Sequence, residues 1–153
     1  MNWLNLKMYE LFYHLLQLVI VILLLYSCIT DILYRKIENL CVVAILLSSI
    51  GIAIMSGHIN ILIPCFVLII GFILAITGMI GAGDIKLIVV LVISVPQSLL
   101  SDLFFAVCCI GAPVSIMALV LFNLLLKKKY KTVPFGIAIS VGYIITIWHG
   151  GLI

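Results

Sequence analysis

Acids are scarce in this chain, five in 153 residues, and two of them stand in words that invite chemistry. GAGDIK, residues 81–86, sets Asp84 beside Gly81 and Gly83, and TDILYRKIEN, residues 30–39, places Asp31 after a long apolar run. An acid at the edge of hydrocarbon is costly, so it usually has a partner or a function. Two carboxylates brought together can hold one proton between them, because like charges at close range do not both ionise cheaply. One then draws a proton from water while the other donates one to a carbonyl oxygen, which is aspartyl protease chemistry and needs neither metal nor cofactor. Such a pair titrates as a unit. Gly81 and Gly83 suit this chemistry, since they leave space for an extended substrate backbone beside Asp84. The plainer reading of the same letters is a tight turn with Asp84 as a helix N-cap, and Asp31 as a solvated loop acid next to Arg35.

Other hydrolytic chemistries lack their parts. There is no H-E-x-x-H and no G-x-S-x-G, and His14, His58 and His149 lie far apart in the sequence. Cys28, Cys41, Cys65, Cys108 and Cys109 form no C-x-x-C pair and all lie in or beside apolar runs. They read as small packing residues, not as a zinc or disulfide framework.

The elements that must position the two acids follow from composition. The chain is 67% hydrophobic and 8% charged, against about half apolar for a soluble domain. This describes an integral membrane protein. Apolar runs predict about six spans, near 11–30, 40–56, 61–80, 85–101, 103–126 and 133–150. The first is read as a retained helix, because no small-x-small cleavage site follows it. The fourth is short and carries Pro96 and Gln97, and a helix of about 17 residues rises only about 25 Å.

Seven of the eight Lys and Arg residues fall in alternate breaks: Arg35 and Lys36, then Lys86, then Lys127, Lys128, Lys129 and Lys131. The positive-inside rule makes these breaks cytoplasmic and puts both termini outside. The net charge of +3 therefore describes topology. The basic residues form no aromatic-interleaved patch, so nucleic acid is not an expected partner. Asp31 and Asp84 are both delivered to the cytoplasmic side, because the chain crosses out and back once between them. The expectation is an all-α, polytopic membrane helical bundle in a single domain, 1–153. Gly71, Gly78, Gly111 and Pro113 are expected to serve close helix packing or kinks. The cluster at 127–131 is expected to meet anionic lipid, and Tyr143, Trp148 and His149 an interfacial belt.

Three words in order carry a resemblance. GAGDIKL matches the G-x-G-D-x-K word of the GxGD aspartyl proteases. DILYRKIEN is similar to their first-aspartate segment, where an Asp is followed by basic residues and then Ile-Pro-Asn. TVPFGIAISVGY, residues 132–143, resembles a third word, Val-Pro-Phe-Gly before the last span. Together they resemble the type IV prepilin peptidases over residues 20–145.

The resemblance implies Asp31 and Asp84 as the catalytic pair, with Gly81 and Gly83 shaping the backbone beside Asp84. It implies a motif role for Lys86, which also reads as an interfacial anchor. Asn39 matches the asparagine of the first word and is expected to cap the second helix. Pro134 and Gly136 match the third word and are expected to be structural. Glu38 departs from the pattern, standing where the family usually has proline, and leaves the geometry of that loop open. The larger members carry an N-terminal methylating region with paired C-x-x-C motifs, which this sequence lacks, so the implied activity is cleavage alone. The implied partners are pilin-like precursors, each with a short basic leader followed by an apolar helix. The implied location is the cell membrane, with the cut at its cytoplasmic boundary. The rival reading is a small proton or cation transporter, or an assembly scaffold, using the same acids.

Overall fold

The computed structural model describes residues 3–34, 36–57, 59, 61–77, 80–126 and 135–151. Arg35, His58, Gly78, Lys127, Lys128, Lys129, Lys131 and Pro134, named above, lie outside them. Among the described residues the chain is all-α. Helix α1 runs Trp3–Tyr34, α2 Asn39–Ser56, α3 Leu62–Ile76 and α4 Ala82–Ser94. A short 3-10 turn, Gln97–Leu99, leads into α5, Leu100–Ala106. A π-helical turn at Val107–Gly111 joins this to α6, Ala112–Leu126, and α7 spans Phe135–His149. Among the described residues three stretches are long and apolar enough to cross a membrane, Lys7–Tyr34, Asn39–Ser56 and Gln97–Ala118. Leu62–Ile76 and Phe135–His149 are shorter apolar helices.

The distribution of side chains is that of a membrane protein. Phe12, Leu18, Ile22, Leu47, Ile54, Phe66 and Phe72 are exposed, while Gln17, Ser27, Thr30, Asp31, Ser49, Ser94, Ser140 and Thr146 are buried. In water, an apolar surface of this extent would be an aggregation liability. In hydrocarbon it is the ordinary outer surface, and the polar groups turn inward, away from lipid. Several buried hydroxyls bond back to their own helix: Thr30 Oγ1 donates to Ser27 O (3.0 Å), Ser140 Oγ to Gly136 O (2.8 Å) and Thr146 Oγ1 to Gly142 O (2.8 Å).

Helix α7 is the centre of the bundle. It packs on α1, α4, α5, the π-turn and α6, and Ile137, Ala138, Ile139, Ser140, Tyr143, Thr146 and Ile147 are all buried. A helix apolar on every side is one enclosed by others. Tyr143 does not join an interfacial belt. Its ring is buried and its hydroxyl lies 3.0 Å from that of Ser94 on α4, whereas Trp148 is exposed. A buried phenol needs a hydrogen-bond partner, and Ser94 supplies it.

Helix boundaries differ from the sequence expectation at two places that bear on the site. Helix α1 continues past residue 30 to Tyr34, so Asp31 lies within a helix and not after one. Helix α4 stops at Ser94 instead of running to 101. Val95 precedes Pro96 and is extended (φ −96°, ψ 128°), because the proline ring disfavours helical backbone in the residue before it. Gln97 and Leu99 therefore belong to the start of the next helix. Helix α2 ends at Gly57, whose φ of 67° is left-handed and whose N–H closes on Ala53 O and Ile54 O.

Candidate active site

Asp84 is the third residue of α4. The N-cap is Gly81, extended at φ −68°, ψ 138°, and makes no side-chain cap; Asp84 lies three residues past the N-cap position that the plainer reading gave it. The carboxylate turns back over the helix start: a Cβ built on Gly81 would lie 2.8 Å from Asp84 Oδ2. Gly81 has negative φ, so what the site needs there is space, not left-handed backbone. Gly83 is different. A Cβ there would meet Ile37 at 3.4–3.7 Å, an ordinary contact. Asp84 also lies where the first-turn amides present the positive end of the helix dipole.

Asp31 meets a helix start as well, but another helix's. It is buried in α1, and its Oδ2 accepts a hydrogen bond from the backbone N–H of Gly136 at 3.1 Å. Gly136 is in the first turn of α7, where N–H groups have no partner within the helix. Asp31 thus caps α7 from across the bundle. A hydrogen bond of this kind to a charged group contributes roughly 1.5–3 kcal/mol. This also explains why α1 need not end before Asp31, since the carboxylate has a protein partner at that depth. The same residue is also held at its carbonyl, where Gly136 O accepts from Ser140 Oγ and from Cys28 Sγ at 3.8 Å. Neither Cys28 nor the Gly136 amide was marked by the sequence; only the Val-Pro-Phe-Gly word pointed to this turn.

Packing of α2 on both α1 and α4 brings the two acids to one place. Asp31 and Asp84 line a single cleft of about 290 Å³, together with Lys36, Ile37, Asn39, Gly81, Gly83 and Lys86. All five residues expected at the site from the sequence are therefore cleft-lining. Lys86 is exposed and its Nζ donates to Asn39 Oδ1 at 3.4 Å. Asn39 is not the cap of α2. It is the first helical residue, Glu38 is the N-cap position, and no side-chain cap bond forms there.

Glu38 resolves the open question of its loop. Its backbone is at φ −70°, ψ 132°, which is the geometry a proline would hold. Its carboxylate Oε2 accepts from Tyr26 Oη at 3.2 Å on an exposed surface. Glu38→Pro is accordingly expected to leave the fold intact and to raise stability by about 0.4–1 kcal/mol through the unfolded chain. Thermal unfolding in detergent measures this, and a clear fall in the midpoint would show that the loop needs the Glu38 N–H or the Tyr26 contact.

Gly136 carries a sharper expectation. A Cβ there would lie 2.9 Å from Asp31 Oδ2 and 3.4 Å from its Cβ and Cγ. Gly136→Ala should gain up to about 1 kcal/mol of helix propensity while pushing the carboxylate aside. A misplacement of about 1 Å at a reacting group can cost about a hundredfold in rate. The expected result is near-normal thermal stability with activity reduced ten- to a hundredfold. Equal losses of both would make Gly136 a packing residue only.

The family model described as "Type IV leader peptidase family" matches residues 18–116, a stretch that includes both aspartates. No curated protein and no solved structure matches the chain. The match covers well over half of the sequence: the chain belongs to the type IV leader peptidase family.

Proposed function

We propose that this protein is a membrane aspartyl endopeptidase that removes the short basic leader of pilin-like precursors at the cytoplasmic boundary of the cell membrane. The observation that carries this reading is the shared cleft of Asp31 and Asp84. In the proposed reaction a water molecule sits between the carboxylates, which hold one proton between them. The ionised member takes a proton from the water as its oxygen adds to the scissile carbonyl carbon, and the protonated member gives its proton to the carbonyl oxygen. The tetrahedral intermediate collapses as the first member passes its new proton to the leaving nitrogen. The second recovers a proton from the intermediate's hydroxyl, restoring the starting state. Water and one peptide bond are consumed, and a carboxylic acid and an amine are released.

Geometry supports several parts of this scheme. The Gly136 N–H fixes the Asp31 carboxylate, and the bare Gly81 lets Asp84 fold over the start of α4. The cytoplasmic orientation rests on the seven basic residues in alternate breaks. The proposed activity is cleavage alone, and the proposed architecture is multi-pass.

The test is cleavage in liposomes. The full chain is co-reconstituted with pilin-like precursors from its own genome, and products are read by mass. A single cut between a basic leader and an apolar segment is the expected outcome. If no precursor is cut while proton flux across the liposome depends on Asp31 and Asp84, the transporter reading replaces this one.

A further inference from the structure

Cys41 Sγ of α2 donates to Leu23 O of α1 at 3.3 Å, and Cys28 Sγ of α1 donates to Gly136 O of α7 at 3.8 Å. The second of these thiols ends on the residue whose N–H holds Asp31. We infer that Cys28 is a positioning residue for Asp31: together with Ser140 it fixes the carbonyl side of Gly136, and thereby the N–H that the carboxylate accepts. The inference rests on the peptidase reading of Asp31 and Asp84.

Three observations carry it. First, Cys28 and Asp31 are three residues apart in α1, so they share a face and stand about 4.5 Å apart along the axis. From that face they take both polar groups of one residue, Asp31 Oδ2 the N–H of Gly136 at 3.1 Å and Cys28 Sγ its carbonyl oxygen. A single contact would let the first turn of α7 roll about one point. Two contacts on either side of the Gly136 Cα remove that freedom.

Second, α1 meets bare backbone here. A Cβ on Gly136 would lie 2.9 Å from Asp31 Oδ2, so the side chains of α1 themselves set how closely the two helices approach. A small donor at position 28 suits such a joint. Third, Gly136 O also accepts from Ser140 Oγ at 2.8 Å, and Ser140 is buried. A serine bonded back to its own helix is commonplace. The thiol arriving at the same oxygen from α1 turns that bond into part of an interhelical joint. A thiol hydrogen bond is weak, so the contact acts on where Asp31 stands more than on how stable the bundle is. Cys41 makes the shorter bond, but to a carbonyl well before Asp31 in α1, and it serves as the control.

The first measurement is cleavage of a pilin-like precursor by the full chain in liposomes, with kcat and KM read separately. Since a shift of about 1 Å at a reacting group can cost about a hundredfold, and loss of one weak contact moves Asp31 by less, Cys28→Ala is expected to lower kcat about tenfold with KM within about twofold. Cys28→Ser restores a donor without the sulfur's volume, and should return kcat to within about threefold of the wild type. Cys41→Ala should lower the melting temperature and spare kcat. Equal losses in Cys28→Ala and Cys28→Ser would make Cys28 a packing residue and overturn the inference. A loss of kcat in Cys41→Ala as large as in Cys28→Ala would overturn it too.

The second measurement needs no turnover. The S–H stretching band of Cys28 is obtained in the infrared as the difference between wild type and Cys28→Ala, and its frequency reports the hydrogen bond to Gly136 O. It is expected to shift when Asp31→Ala releases the Gly136 N–H, and a band that ignores Asp31→Ala would overturn the inference. A band that responds to Asp31→Ala in a protein that cuts no precursor would retain Cys28 as the residue that fixes Asp31 and remove the peptidase reading. Cleavage by the wild type with kcat unchanged in Cys28→Ala would do the reverse.

Discussion

Asp31→Asn and Asp84→Asn are each expected to lower leader cleavage by roughly a thousandfold or more, the range over which positioned acid and base groups act, and the double variant should be little worse than either single one. Groups that work as a unit lose most of their effect when one is removed. Stability should not follow activity. An asparagine at position 31 keeps an oxygen where Asp31 Oδ2 accepts from the Gly136 N–H, so the cap on α7 survives the loss of charge. Asp31→Ala removes that acceptor and leaves a buried N–H unsatisfied, at about 1–3 kcal/mol.

The three variants therefore separate two roles that a single alanine substitution would merge. Thermal unfolding and cleavage measured on the same reconstituted samples give the comparison. Cleavage persisting near the wild-type rate in either asparagine variant removes the two-carboxylate mechanism. Loss of folding in Asp31→Asn would mean that the negative charge, and not only the acceptor, holds the first turn of α7.

What could be read from the sequence was whatever is rare in an apolar chain. Charges are few, so Asp31, Asp84, Lys36 and Lys86 were each conspicuous, and the structure places all four on one cleft. Six helical stretches followed from hydropathy in the same way, since hydrocarbon demands that a spanning segment satisfy its own backbone. Backbone partners were not legible. The donor that holds Asp31 is a peptide N–H, and a peptide N–H has no letter. Gly136 could be marked only as part of a word, with a structural role expected, because its neighbour is more than a hundred residues away in sequence.

The misplaced ends have a similar origin. Asp84 looked like an N-cap because aspartate prefers that position, but Gly81 begins the turn and the acid falls in the dipole's field three residues later. Asp31 looked like a helix end because an acid seldom sits within a span, whereas the approach of α7 gives it a backbone N–H partner there. Tyr143 read as an interfacial aromatic because Ser94, its partner, lies on another helix.

The largest expected effect on stability lies at the crossing that sets α7 in place. Gly111 in the π-turn faces Ala138 of α7, and Gly142 of α7 faces Val107 in the π-turn. Ala138 and Gly142 form a small-xxx-small pair, which lets helices approach to backbone contact. Pro113 contributes from the other side: it has no N–H to give to the carbonyl four residues back, and the π-turn lies where that regular bond is missing.

A Cβ on Gly111 would lie 2.3 Å from Ala138 O and 2.8 Å from its C and Cα. No rotamer relieves a clash with backbone, so Gly111→Ala should destabilise by about 3 kcal/mol, the upper part of the range for overpacking. A Cβ on Gly142 would lie 2.4 Å from Val107 Cγ2 and 2.8 Å from Val107 N. Part of that conflict is with a side chain, so Gly142→Ala should cost less, and Val107→Ala should recover a portion of it while doing nothing for Gly111→Ala. This double-mutant comparison separates backbone contact from side-chain crowding.

The effect should reach the site, because α7 also carries Gly136, and a shift of α7 moves the N–H that holds Asp31. Gly111→Ala is accordingly expected to slow cleavage even at temperatures where it remains folded. A variant that is destabilised but fully active would mean that the first turn of α7 is held by Asp31, Cys28 and Ser140 independently of the crossing below it. An unchanged melting temperature would mean that the two helices do not approach to backbone contact at all.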